Sequence, residues 1–186
     1  MAEIRLLGLC GSLRRASTNR ALLRAVGECL PEGASLTIYD RLGDLPLFNS
    51  DLGEPEPVVA LKEAIAAADG LVFATPEFNY TITGVLKNAI EWASRPPSTT
   101  PLKGKPMAMV GASAGMSGSM RAQYHLRQIL VYSDSPTLSQ PEVLIPRAHE
   151  RFDAEGRLVD ESTRELLRKF GVAMIAWVRR FAPPVA

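Results

Sequence analysis

Five short apolar runs alternate along the chain with longer segments that carry an apolar stripe at helical spacing. The runs are 4–9, 35–39, 70–75, 106–111 and 142–145; 106–111 has no polar residue, 4–9, 70–75 and 142–145 have one each, and 35–39 alternates. A strand apolar on both sides is one covered on both sides, which is the habit of parallel sheets. The intervening stripes, at 17–30, 57–68, 84–94, 119–132 and 161–181, read as helices. Val85, Leu86, Ala89, Ile90 and Ala93 show the spacing most clearly. Ser17 or Thr18 is placed to cap the first helix, and Pro57 sits in the first turn of the second. Right-handed crossovers between such strands give a doubly wound five-stranded parallel sheet, an α/β fold with helices on both faces. No linker or internal repeat interrupts the pattern, so 1–186 is expected to form one domain. The proline-rich stretch 95–105 reads as a surface loop.

Composition removes several classes of function. The formal net charge is +1, so no overall field draws the chain to nucleic acid or to an anionic membrane. Two cysteines without CxxC spacing and two separated histidines argue against a metal site or a disulfide framework. The N-terminus lacks a signal-peptide pattern, and no apolar stretch is long enough to span a bilayer. A cytoplasmic location is the default expectation.

In a sheet of this kind ligands bind beyond the carboxyl ends of the strands, so the three loops that follow apolar strands are where chemistry is expected. The first, 11–19 (GSLRRASTN), opens onto a helix N-terminus. Free N–H groups and the positive end of the helix dipole favour a phosphate there. Ser12, Ser17 and Asn19 add polar side chains, and Arg14 adds a charge-assisted donor. Neither the P-loop pattern nor GxGxxG is present, which points to a monophosphate rather than a dinucleotide fingerprint. The second loop, from Thr75 to Thr81, offers Pro76, Glu77, Phe78 and Asn79. Its aromatics can face a planar ring while polar groups meet the ring's rim. The third loop, 112–119, is built of small residues, Ser113 and Gly115 among them, that permit close backbone approach. Phosphate, flat ring and close approach at one sheet edge together point to flavin mononucleotide.

These stretches resemble the NADPH-dependent FMN reductase family, which includes chromate- and quinone-reducing members. The resemblance is carried by 11–19, by 76–96 (PEFNYTITGVLKNAIEWASRP) and by 123–130 (QYHLRQIL). It implies a flavodoxin-like fold and bound FMN with NADPH or NADH as electron donor. It also implies small acceptors such as quinones, flavins, azo compounds and chromate, and assembly as a homodimer or homotetramer. By position, Ser12, Arg14, Ser17 and Asn19 would hold the phosphate. Pro76, Glu77, Phe78 and Asn79 would hold the ring, largely through backbone groups, and Ser113 and Gly115 would approach from the other side. Arg121, Tyr124 and Glu142 would join subunits. Two departures stand out: Phe78 replaces a usual Tyr, and Thr83 stands where Pro is frequent. The implied chemistry is a ping-pong cycle in which the flavin carries the hydride, so no side chain is assigned as catalytic.

Other residues have plainer readings. Cys10 reads as a packed small hydrophobe, His125 as a surface or interface residue, Trp92 and Trp177 as packing, and Lys87 with Glu91 as a solvated i, i+4 pair. The rival reading is a non-enzymatic flavodoxin-like electron carrier. Such carriers tend to be strongly acidic, and this chain is close to neutral.

Overall fold

The structure, a computed structural model, describes residues 3–182. Its strands are β1 (Ile4–Cys10), β2 (Ala34–Tyr39), β3 (Gly70–Ala74), β4 (Met107–Ala112) and β5 (Val143–Ile145). Between and after them lie α1 (Thr18–Glu28), α2 (Glu56–Ala67), α3 (Gly84–Ala93), α4 (Met120–Val131) and α5 (Glu161–Phe181). The strands form one sheet in the order β2-β1-β3-β4-β5, and every pairing is parallel. This is the flavodoxin-like order, whose topological switch point lies between β1 and β3.

Alternation along the strands sorts the core into two layers. Leu6, Cys10, Val72, Ala74 and Val110 pack against α1 and α5. Leu7, Leu9, Leu71, Phe73 and Met109 pack against α2, α3 and α4. Leu22 and Leu23 of α1 and Leu86 of α3 are fully buried, and each such side chain stabilises the fold by about 1.5–3 kcal/mol. Gly70 keeps α5 close to the sheet, because a Cβ there would come within 2.8 Å of Val178 and 2.9 Å of Met174.

The helix starts follow local capping chemistry. Ser17 caps α1 by accepting the Arg20 N–H at 3.2 Å. Thr83 caps α3 through the Leu86 N–H, so the residue that departs from the family's frequent Pro has a structural task of its own. Asp160 caps α5 through the Thr163 N–H at 2.7 Å. The long connection 40–55 is pinned onto α3. Asn88 accepts the Phe48 N–H at 2.8 Å, and both Asn88 and Trp92 donate to the Pro46 carbonyl. Trp92 is buried, and its ring meets Phe48 edge-on at 4.9 Å. The stretch 95–105 is more than the expected surface loop. Leu102 is 1% exposed and belongs to the core layer beneath α2 and α3, an apolar anchor that a polar, proline-rich neighbourhood conceals.

Candidate active site

Register brings the three loops level. Cys10 lies opposite Ala74, and Ala74 opposite Val110. One residue on, the Gly11 N–H bonds the Ala74 carbonyl and the Thr75 N–H bonds the Val110 carbonyl. Loops 11–17, 75–83 and 113–119 therefore leave adjacent strands at one edge. The chain leaving β1 turns toward the α1 face and the chain leaving β3 toward the α3 face, which opens a crevice between them. Gly11 passes close to α3, since a Cβ there would lie 2.8 Å from the Thr83 hydroxyl.

The first loop is an array of unused donors. Among the described residues, no hydrogen-bond partner is found for the backbone N–H groups of residues 13–19. They converge on the N-terminus of α1, where dipole and geometry suit an anion. Arg14 is exposed beside them and Ser12 is half-buried, while the buried Ser17 hydroxyl, besides accepting the Arg20 N–H, lies 3.9 Å from the Cys10 sulfur. Asn19 has another role. It is buried; its side chain accepts the Ala112 N–H at 3.0 Å and donates to the Ala112 carbonyl at 2.9 Å. That amide clamps the start of α1 to the tip of β4, so Asn19 positions the phosphate loop. Below it, burial pushes the Cys10 thiol pKa up, in keeping with a packed residue rather than a reactive one.

The second loop is a two-residue hairpin. Phe78 and Thr81 exchange both backbone hydrogen bonds, at 3.1 and 3.0 Å, and Asn79 and Tyr80 between them both have positive φ, 48° and 68°. This is the type I′ arrangement, in which Asn is at home and a bulky aromatic is strained. The strain on Tyr80 is held by a neighbour, because the Arg121 guanidinium stacks on its ring at 3.8 Å. Arg121 is in turn bound by Glu77, whose buried carboxylate accepts the Arg121 Nε–H at 2.5 Å and its backbone N–H at 3.1 Å. Glu77 thus caps α4, whose own cap residue, Ser119, makes no side-chain cap bond. Thr81 and His125 add a second tie at 3.0 Å. Arg121, expected at a subunit contact, is used inside the chain. The sequence offered no sign of this network, because its members are 44 residues apart.

The third loop is folded on itself. The Ser113 hydroxyl donates to the Gly115 carbonyl at 3.1 Å and accepts the Gly118 N–H at 3.0 Å. The Gly115 carbonyl also accepts the Arg147 N–H at 3.0 Å. Phe78, Tyr80 and Met116 are exposed on the loops that surround the crevice, which gives it an apolar rim. Donors for a phosphate, backbone groups for a polar ring edge and an apolar rim fit a phosphorylated planar heterocycle.

The family model described as NADPH-dependent FMN reductase matches residues 4–150. This chain belongs to the NADPH-dependent FMN reductase family. An NAD(P)H-dependent FMN reductase of Pseudomonas aeruginosa is 51% identical over 181 residues, covering 96% of this chain and 97% of that protein. A 2-hydroxy-1,4-benzoquinone reductase of a Burkholderia species is 44% identical, covering 91% of this chain and 93% of that protein. Among solved structures, the flavoenzyme NAD(P)H:(acceptor) oxidoreductase FerB of Paracoccus denitrificans superposes with a TM-score of 0.88 at 34% identity, covering 96% of this chain and 98% of that one. Membership of the family makes the chain an FMN-dependent oxidoreductase that draws electrons from NAD(P)H, and the carrier reading is not favoured.

Proposed function

We propose that this protein reduces quinones and related small acceptors at the crevice between the tips of β1, β3 and β4. The observation that carries this reading is the row of unpartnered backbone N–H groups at 13–19, aligned by β1 and α1 beside a rigid aromatic hairpin. FMN held there would take hydride from the nicotinamide and pass electrons to the acceptor.

The chain's own residues bind and orient. The 13–19 N–H groups, the Ser12 and Ser17 hydroxyls and Arg14 hold the phosphate. Asn19 fixes this loop against β4. The backbone N–H groups of Glu77, Asn79 and Tyr80 and of residues 114–117, which the hydrogen bonds among the described residues leave over, line the ring's polar edge, where fixed donors stabilise developing negative charge without reorganising. Phe78, Tyr80 and Met116 shape an open face that suits flat acceptors of varied structure. Replacement of the family's Tyr by Phe78 removes a hydroxyl from that face, so Phe78→Tyr shifts the relative rates among quinones. Chromate is among the acceptors we propose. A homodimer or homotetramer that covers Tyr124 and other exposed apolar residues, formed in the cytoplasm, completes the proposal. Among the described residues, no helix is long and apolar enough to cross a membrane.

The test is a visible spectrum of the purified protein, followed by anaerobic addition of NADPH or NADH and then benzoquinone. Bleaching on the nucleotide and recovery on the quinone are expected, with parallel double-reciprocal lines. A colourless protein that ignores added FMN would overturn the reading. Native mass gives the assembly state.

A further inference from the structure

A second concavity shares residues 15–18 with the phosphate loop and extends from them along α1. A cleft of about 600 Å³ runs between the start of α1 and the segment that follows β5, within the size range of small-molecule sites. Arg15, Ser17, Thr18 and Arg24 form one wall, and Asp153, Glu155 and Gly156 form the other. Its apolar floor contains Ala21 and Phe152, both buried.

We infer that this cleft receives the adenosine 2′-phosphate end of NADPH, with Arg24 and Arg15 gripping the phosphate that NADH lacks. The inference rests on the flavin reading above and assigns donor specificity to residues outside the crevice.

Charge carries the argument. Among the described residues, neither Arg15 nor Arg24 has a carboxylate within ion-pair distance, whereas Arg20, Arg121, Arg151 and Arg157 each do. The acids of the cleft are already neutralised, because Asp153 pairs with Arg157 at 2.7 Å and Glu155 pairs with the same guanidinium at 3.1 Å. The lining carries two arginines and two acids, and because Arg157, just outside it, pairs with both acids, the two arginines are left without a partner among the described residues. The monophosphate of FMN does not account for Arg24. That residue lies six positions beyond Thr18, about 9 Å along the helix axis from the N–H groups at its mouth. An unpaired guanidinium displaced from the first phosphate matches a second one, which it can grip with two parallel N–H bonds. Gly156 holds the opposite wall close. With φ +75°, it sits where a Cβ would come within 2.9 Å of the Arg24 guanidinium. The floor offers apolar contact to a purine, and the polar wall faces the ribose.

The experiment compares wild type, Arg24→Ala and Arg24→Lys as FMN-loaded enzymes. The NADPH-to-NADH ratio of kcat/KM is expected to fall about tenfold in Arg24→Ala, with partial recovery in Arg24→Lys. By calorimetry, adenosine 2′,5′-bisphosphate is expected to bind wild type and to bind Arg24→Ala about tenfold more weakly. Adenosine 5′-diphosphate is expected to show no such difference. An unchanged ratio together with unchanged bisphosphate binding overturns the inference. So does FAD binding that is tighter than FMN binding and weakened by Arg24→Ala, which would give the cleft to a flavin dinucleotide. Failure of wild type to hold FMN or to oxidise NADH would count against the flavin reading itself, while bisphosphate binding would still test the cleft.

Discussion

The carboxylate of Glu77 closes the N-terminus of α4 from the neighbouring strand's loop, accepting the backbone N–H of Arg121 at 3.1 Å. One side chain thereby fixes the angle of a helix and the shape of the hairpin that precedes α3. Helix caps are ordinarily local; this one comes from a segment the helix must dock against, so α4 and the hairpin order together.

Glu77→Ala removes that cap and releases Arg121 from Tyr80. The expected loss is about 1–2 kcal/mol of stability in urea unfolding of the apoprotein, with weaker FMN binding by fluorescence titration. Glu77→Gln keeps one acceptor and loses less. Equal FMN affinity in all three proteins would show that the hairpin holds its shape unaided.

Asn19→Ala strands the buried N–H and C=O of Ala112. Two orphaned groups cost about 2–6 kcal/mol together, measured by urea unfolding of the apoprotein. FMN affinity falls too, because the phosphate loop loses its tie to β4. If stability is unchanged, the clamp contributes nothing that water cannot replace.

Gly118→Ala meets two obstacles. Gly118 has φ +55°, and a Cβ there would lie 2.6 Å from the Leu144 carbonyl carbon. Backbone cannot yield as a side-chain tip can, so a loss of about 3 kcal/mol or more is expected, together with a displaced 113–118 loop. Gly115→Ala, with open space around it, serves as the control. Thermal unfolding separates the two.

Asp160 sets an acid limit. Hydrogen bonds from Ser162 and Thr163, with help from Arg151, hold its carboxyl well below the usual carboxylate range. A carboxylate depressed on folding adds stability that is fully present above its unfolded pKa, about 3.9. That stability is lost as pH falls through the folded value. Wild type therefore loses stability below about pH 4 faster than Asp160→Asn, which caps the helix without titrating. Parallel acid-unfolding curves for the two would remove Asp160 from the account.

Sequence reasoning reached the layers because their signal is periodic. Apolar runs such as 70–74 and the stripe of 84–93 lie where the structure places β3 and α3, and parallel connections leave few ways to order the strands. The loops were legible as positions, since residues after apolar strands emerge at one edge. What the chain concealed was long-range pairing. Asn19 and Ala112 are 93 residues apart, and no spacing rule joins them. The type I′ turn was missed because its second position is Tyr80 rather than the glycine that usually announces one. Leu102 was missed because one apolar residue among prolines carries no period.

Because the chain exits β1 toward one layer and β3 toward the other, the opening between them is a product of connectivity and not of any side chain. Residues that line it can be exchanged without unpacking Phe73 or Leu86 beneath. A scaffold of this sort keeps its durability in the sheet and its chemical appetite in removable trim, so new acceptors can be adopted through changes at 78–80 or 114–117 while the layers stay as they are.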